Sequence, residues 1–375
     1  MASLGDWQWP FQCVECGGDF PLDGFPFRCP RCGSIFEFRQ NPIFDPDSVK
    51  KNGIGIERFY DSFPLPPGTD FITLGEGNTP LVEVAYNRRR IHFKCEHLNP
   101  TGSFKDRGTA VLVSAMKHVG ISGAVEDSSG NAGASFAAYA AVAGIHARVF
   151  IPSYASGPKR EQIEAYGAEV IPVPGPRSAA TQAVMDEVDR GAIYASHAYL
   201  PHGIAGMATV AYELWDQLSG VPGTIITPVG QGSLLLGLAH GFQALLDAGV
   251  IPSVPRLIAV QSSACAPVWS EFRGEQSASP TMIEGETIAE GIRILNPLRM
   301  KGVIASIRNT QGDVVVVGED EIVEGWKELA RRGFYVEPTS AVVWAGLKRI
   351  WDHVQDPIVL ILTGNGLKSS STRIA

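Results

Sequence analysis

From residue 91 onward, short β-branched runs alternate with longer Ala- and Leu-rich stretches whose apolar positions recur at helical spacing. The runs 91–96, 123–129, 147–152, 168–174, 192–197, 224–230, 256–262, 313–318 and 357–364 predict strands. The stretches 104–119, 132–143, 157–166, 178–189, 203–219, 233–248, 319–332 and 339–352 predict helices. Strand–helix alternation implies an α/β protein with mostly parallel sheets covered by helices on both faces. Ligands in such folds gather at the carboxyl ends of strands, where loops enter helix N-termini. Residues 1–40 differ: they are rich in Cys, Phe and Gly, lack helical periodicity and form a separate module. Residues 41–70 are Pro-rich and irregular, as a linker or a surface-wrapping segment would be.

The chain has 375 residues, enough for two or three domains, and 45% of them are hydrophobic. That supports a large core and a globular class. A formal net charge of −8 argues against nucleic acid or an anionic membrane as the main partner. The opening MASLGDWQWPFQC lacks a basic segment followed by an apolar one, and the uncharged stretch 132–145 is too short to span a bilayer. The expectation is a cytoplasmic protein.

Four of the six cysteines form Cys13-x2-Cys16 and Cys29-x2-Cys32. Two such pairs can converge on one tetrahedral ion, and Gly17 and Gly33, directly after each pair, suit the tight turn required. A structural zinc ribbon is the leading reading; reduced free cysteines and a rubredoxin-like iron centre are the alternatives. Arg28, Arg31 and Arg39 are offset by Glu15, Asp19, Asp23 and Glu37, so the module carries no basic face for nucleic acid. Cys95 and Cys265 read as small buried hydrophobes.

Four loops carry candidate chemistry. Asn99–Gly108 (NPTGSFKDRG) leads from a strand into a helix that starts near Lys105. Partial desolvation and the positive end of a helix dipole lower a lysine's pKa, as an imine-forming amine requires. Ser128–Ser135 (SSGNAGAS) also runs from strand to helix and allows close backbone approach. Pro228–Leu234 (PVGQGSL) presents glycine N–H groups at a helix start, a cradle for phosphate. Thr363–Lys368 (TGNGLK) puts a hydroxyl at the end of the last strand. Each alone is also compatible with an ordinary surface lysine or a tight packing turn.

Together, over roughly residues 70–370, these motifs and GFYVEPTSAVVWAG (333–346) resemble the threonine-synthase branch of the fold-type II, tryptophan-synthase-β-like, pyridoxal-phosphate (PLP) enzymes. The N-terminal cysteine module is similar to the zinc ribbon of some bacterial and archaeal relatives. The resemblance implies two three-layer αβα domains plus the ribbon. The boundaries are 1–40 for the ribbon, 41–95 with 206–375 for a large PLP-binding domain, and 96–205 for a smaller one. It implies Lys105 as the catalytic, Schiff-base lysine and Asn131 at the ring hydroxyl. Gly230, Gln231, Gly232, Ser233 and Leu234 would hold the phosphate and Thr363 would face the pyridine nitrogen. Ser128, Ser129, Gly130 and Ala132 would lie at the substrate carboxylate. A hydroxyl opposite the ring nitrogen leaves it unprotonated and favours elimination over transamination. The implied protein is a homodimer acting on a small L-amino acid, converting O-phospho-L-homoserine and water to L-threonine and phosphate.

The pattern departs from the family at one place. The short bacterial form carries Asn-Pro-His-Arg-x-x-Gly-Gln-Lys-Thr, whose Asn and Arg help bind the substrate phosphate. Here the run is Leu200-Pro201-His202-Gly203-Ile204-Ala205-Gly206-Met207-Ala208-Thr209. Lys159, Arg160 or Arg293 would have to take over. The segment Thr287–Ile292 (TIAEGI) resembles the serine/threonine dehydratases of the same fold. Two alternatives follow: a β-elimination or β-replacement enzyme, and a non-catalytic regulator that uses the ribbon as its contact module.

Overall fold

A computed structural model describes residues 7–50, 52–274 and 286–369. It divides into two compact units, Met1–Glu76 with Lys105–Gly206, and Gly77–Phe104 with Met207–Ala375, of which the described residues are discussed.

The first unit opens on a two-stranded antiparallel ribbon, β1 (Phe11–Cys13) and β2 (Phe36–Phe38). Its main sheet is parallel, in the order β5 (Gly123–Glu126), β6 (His146–Pro152), β7 (Glu169–Val173). Helices α1 (Lys105–His118), α2 (Asn131–Ala143), α3 (Pro158–Ala165) and α4 (Arg177–Asp189) complete it. Strand alternation sorts the two faces of β6. Val149 and Ile151 pack with Ala134, Ala137 and Ile163 from α2 and α3, while Phe150 packs with Val184 of α4. The start of α5 (His202–Leu218) also lies in this unit.

The second unit is a six-stranded sheet in the order β10 (Asp313–Val317), β9 (Arg256–Ser262), β8 (Thr224–Pro228), β11 (Ile358–Ile361), β4 (Arg89–Lys94), β3 (Leu81–Tyr86). All neighbours are parallel except β3 and β4. These two form a hairpin closed by Asn87 and Arg88, both at positive φ (45° and 65°), the backbone a two-residue hairpin turn demands. Every residue of β8 and β11 is buried, as expected of strands covered on both faces. Helices α9 (Glu319–Arg331) and α10 (Pro338–Arg349) contribute Trp326, Trp344 and Leu347 to the core with Ile226, Ile258 and Leu360. Helices α6 (Ser233–Asp247) and α8 (Met300–Asn309) pack together and on β9.

The fold class expected from the sequence is the one found. Eight of the nine strand segments form strands; 192–197 contributes only a bridge from Tyr194 to Val125. The sequence reading missed β3, α8 and the short α7 (Pro267–Arg273). The unit boundaries also differ from the domain boundaries read from the sequence. Residues 41–76 belong with the first unit, where the Ile72 amide donates to Ser114 Oγ at 2.8 Å. Residues 96–104 belong with the second, where the Phe104 amide donates to the Thr363 carbonyl at 3.0 Å. No helix among the described residues is long and apolar enough to cross a membrane.

Candidate active site

In the second unit, parallel pairing sets three of the four loops side by side. β8, β11 and β4 are consecutive in the sheet and point the same way, so the loops after them leave from one edge. The loop after β4 is built around Asn99. Its Oδ1 accepts from the Gly77 amide at 2.9 Å, and its Nδ2 donates to the carbonyl and carboxylate of buried Glu96 at 2.7 and 3.0 Å. Asn99 therefore holds the loop in shape. The segment after β11 is bound to it: Asn365 N donates to Gly102 O at 2.9 Å and Lys368 Nζ to Thr101 O at 2.7 Å.

Thr363 is buried, with Oγ1 3.0 Å from Ser340 Oγ, which also accepts from the Gly364 amide at 2.9 Å. With that amide proton in place, the Ser340 hydroxyl can donate to Thr363, leaving the Thr363 proton free to point at an acceptor. After β8, Gly232 (φ 86°) is the N-cap of α6, and no side chain caps that helix end. A side chain at Gly232 would also strike Val303, 2.3 Å away, so packing requires glycine there as well. Gln231 Oε1 accepts from the Leu298 amide at 3.1 Å, which leaves the backbone of Gln231, not its side chain, for a ligand.

The first unit holds Lys105, the first residue of α1. Desolvation pulls its pKa from 10.5 down to about 8, against the opposing charge of Glu126. The loop after β5 carries Ser128, Ser129 and Gly130, with Gly130 as N-cap of α2, Asn131 as its first residue and buried Ala132 next. A Cβ at Gly133 would lie 1.9 Å from the Ser128 carbonyl, so the chain folds too tightly there for any other residue.

Sequence reasoning passed over four residues beside Lys105. Glu126, at the end of β5, is 1% exposed, and its Oε1 lies 3.1 Å from His197 Nδ1. Asp127 accepts from Tyr194 Oη at 2.8 Å and Thr181 Oγ1 at 2.6 Å. Arg177 opens α4. Two acids in a row ending the apolar run GAVED, directly before SSGN, were the available signal.

The run 200–209 has a packing role. Leu200, Ile204 and Ala205 are buried, and Gly206 lies so close to α1 that a Cβ would meet Arg107 O at 1.9 Å. Met207 packs against Gly237 of α6. Arg160 donates to Glu164 and to the Ala155 carbonyl on and before its own helix. His202 sits among ribbon aromatics, with ring centroids 4.7 Å from Trp9, 4.6 Å from Phe11 and 4.7 Å from Phe25.

In the ribbon, the four cysteine sulfurs lie within 4.8 Å of one another. Gly17 (φ 65°) and Gly33 (φ 77°) return their amides to the Cys13 and Cys29 carbonyls. Burial would raise the Cys13 thiol, but the N–H groups of Cys16 and Glu15 outweigh it and hold the pKa at about 6. Such a thiolate-prone, closed tetrad suits a tetrahedral ion.

The groups present fit pyridoxal phosphate chemically: a desolvated amine, an uncapped glycine-opened helix N-terminus and an oriented buried hydroxyl. Comparisons with known proteins agree. A threonine synthase of Methanocaldococcus jannaschii is 33% identical over 97% of this chain and 94% of its own length. One from Methanosarcina acetivorans is 31% identical over 97% and 93%. Among solved structures, a T.th. threonine deaminase is 26% identical with a TM-score of 0.65, over 78% of this chain and 94% of its own. Maize serine racemase is 25% identical with a TM-score of 0.66, over 78% and 89%. The family profile described as pyridoxal-phosphate dependent enzyme matches residues 72–364, and the chain belongs to that family.

Proposed function

We propose that this chain is a PLP-dependent carbon–oxygen lyase of the threonine synthase kind, turning O-phospho-L-homoserine and water into L-threonine and phosphate. The observation that carries the reading is the desolvated Lys105 amine at the head of α1, directly after a loop pinned to the Thr363 segment. The cofactor, when bound, supplies an electron sink for the substrate α-carbon. Lys105 would hold it and, once displaced by the substrate amino group, take the α proton on Nζ. The backbone from Gly230 to Leu234 would hold the phosphate and Thr363 would face the ring nitrogen. Asn131 would meet the ring hydroxyl, and Ser128, Ser129, Gly130 and Ala132 the substrate carboxylate. Cys13, Cys16, Cys29 and Cys32 would bind one structural zinc ion; a set of four sulfurs leaves no open position for catalysis. The reading includes a cytoplasmic homodimer, which light scattering on the purified protein tests for its stoichiometry.

A second reading, elimination from serine or threonine, is supported by the absence of lysine and arginine from 200–208 and by the TIAEGI segment. One experiment separates the two: phosphate release from phosphohomoserine measured beside keto-acid release from serine and threonine. Micromolar KM for phosphohomoserine with threonine as product supports the first. Keto-acid release with negligible phosphate release refutes it in favour of the second. The cofactor assignment fails if borohydride fixes PLP to a lysine other than Lys105.

A further inference from the structure

The end of β5 carries a buried carboxylate that the proposed chemistry does not use. The segment Ile193–Ala195 runs beside it: Val125 N donates to Ile193 O at 2.8 Å and Ala195 N to Val125 O at 2.9 Å. That pairing brings His197 to Glu126 across 71 residues of sequence. His197 engages Oε1; Oε2 is buried with no hydrogen-bond partner. A carboxylate oxygen left in this state carries a large desolvation penalty unless it holds a proton or faces a cation.

We infer that Glu126, held in place by His197, is a positioning residue that sets the protonation state of the Lys105 amine. The inference rests on Lys105 being the reactive amine of the proposed function. The charged groups around the pair are few. Asp127 adds negative charge but is pinned by Tyr194 and Thr181; Arg177 and Lys105 add positive charge. Burial, and then Asp127, push the Glu126 carboxyl well above its ordinary range, while Arg177 and Lys105 pull it back. Burial, then Lys105 and Arg177, hold His197 well below its ordinary range, so the imidazole is neutral. Lys105 and Glu126 each favour the charged form of the other, while burial disfavours both. A net proton transfer from the Lys105 ammonium to the Glu126 carboxylate leaves a neutral amine and a neutral acid, the form in which the amine is nucleophilic.

The test reads the amine itself. The full chain, freed of cofactor, is labelled competitively with trace acetic anhydride across a pH series, and Lys105 acetylation is followed by peptide mass spectrometry. The wild-type midpoint should lie near 8. Glu126→Gln removes the anionic partner and should lower the midpoint by about one pH unit or more, making Lys105 up to about tenfold more reactive near neutral pH. Glu126→Asp keeps a carboxylate and should hold the midpoint close to wild type. An unchanged midpoint in Glu126→Gln, or an equal shift in both variants, overturns the inference. Should the Gln variant not fold, carboxyl carbon NMR of the wild type, assigned through Glu126→Asp, decides instead. Glu126 must then titrate well above the ordinary carboxyl range, and titration near 4.5 overturns the proposal. Neither readout needs turnover. Cofactor fixed by borohydride on another lysine would remove the functional reading and leave these titrations standing.

Discussion

His202 offers the sharpest energetic test of how the ribbon is joined to the first unit. The imidazole is fully buried, is stacked on Phe25 at 26° and meets Trp9, Phe11 and Phe20 edge-on. Neither ring nitrogen has a hydrogen-bond partner. Burial lowers its pKa from 6.5 to about 3. The unfolded chain therefore binds a proton as pH falls through 6.5, while the folded chain stays neutral until about 3. Stability is lost over that window at about 1.4 kcal/mol per pH step, or roughly 2 kcal/mol between pH 6.5 and 5. His202→Phe removes the titration and two unsatisfied nitrogens, each costing about 1–3 kcal/mol, but adds volume to a packed site at a cost of about 1–3 kcal/mol. At pH 7 the variant should therefore lie within about 1 kcal/mol of wild type, and at pH 5 it should be the more stable by roughly 2 kcal/mol. Urea denaturation at both pH values measures the difference; acid protonation of the cysteines contributes equally to both proteins and cancels. Parallel losses in wild type and variant, or an NMR titration of His202 near 6.5, would refute the reasoning.

Chelation should remove one zinc ion per chain and unfold residues around the ribbon first, with the cofactor absorbance retained; abolished turnover with fold and absorbance intact would contradict a structural role. Lys94 Nζ and Glu213 Oε2 lie 2.6 Å apart at 0% and 1% exposure, so Lys94→Met should cost about 3–5 kcal/mol by stranding the carboxylate. Adding Glu213→Gln, which keeps an acceptor for the Asn78 amide, should recover much of that loss in the same denaturation assay. Ser340→Ala removes the partner of Thr363 Oγ1 and should weaken PLP binding about 5–30-fold, read by fluorescence titration of the cofactor-free chain.

The sequence by itself determined what depends on near neighbours. Apolar runs without polar interruption gave β8, β9, β10 and β11, and helical spacing gave α1, α2, α6 and α9 to within a residue or two at each end. The two CxxC pairs and the loops that open on Lys105, Gly130 and Gly232 were legible because turn chemistry is local and only glycine tolerates the backbone required at Gly17, Gly33 and Gly232. Only the tertiary structure decided the rest, because pairing between distant segments depends on register and burial that no window of sequence contains. It set the loops after β4, β8 and β11 on one sheet edge through parallel register, and it turned 200–208 into packing surface by pressing Gly206 against α1 and His202 into the ribbon's rings. It also joined Glu126 to His197, since one bridge from Tyr194 to Val125 brings together two side chains that read separately as an ordinary acid and an ordinary histidine.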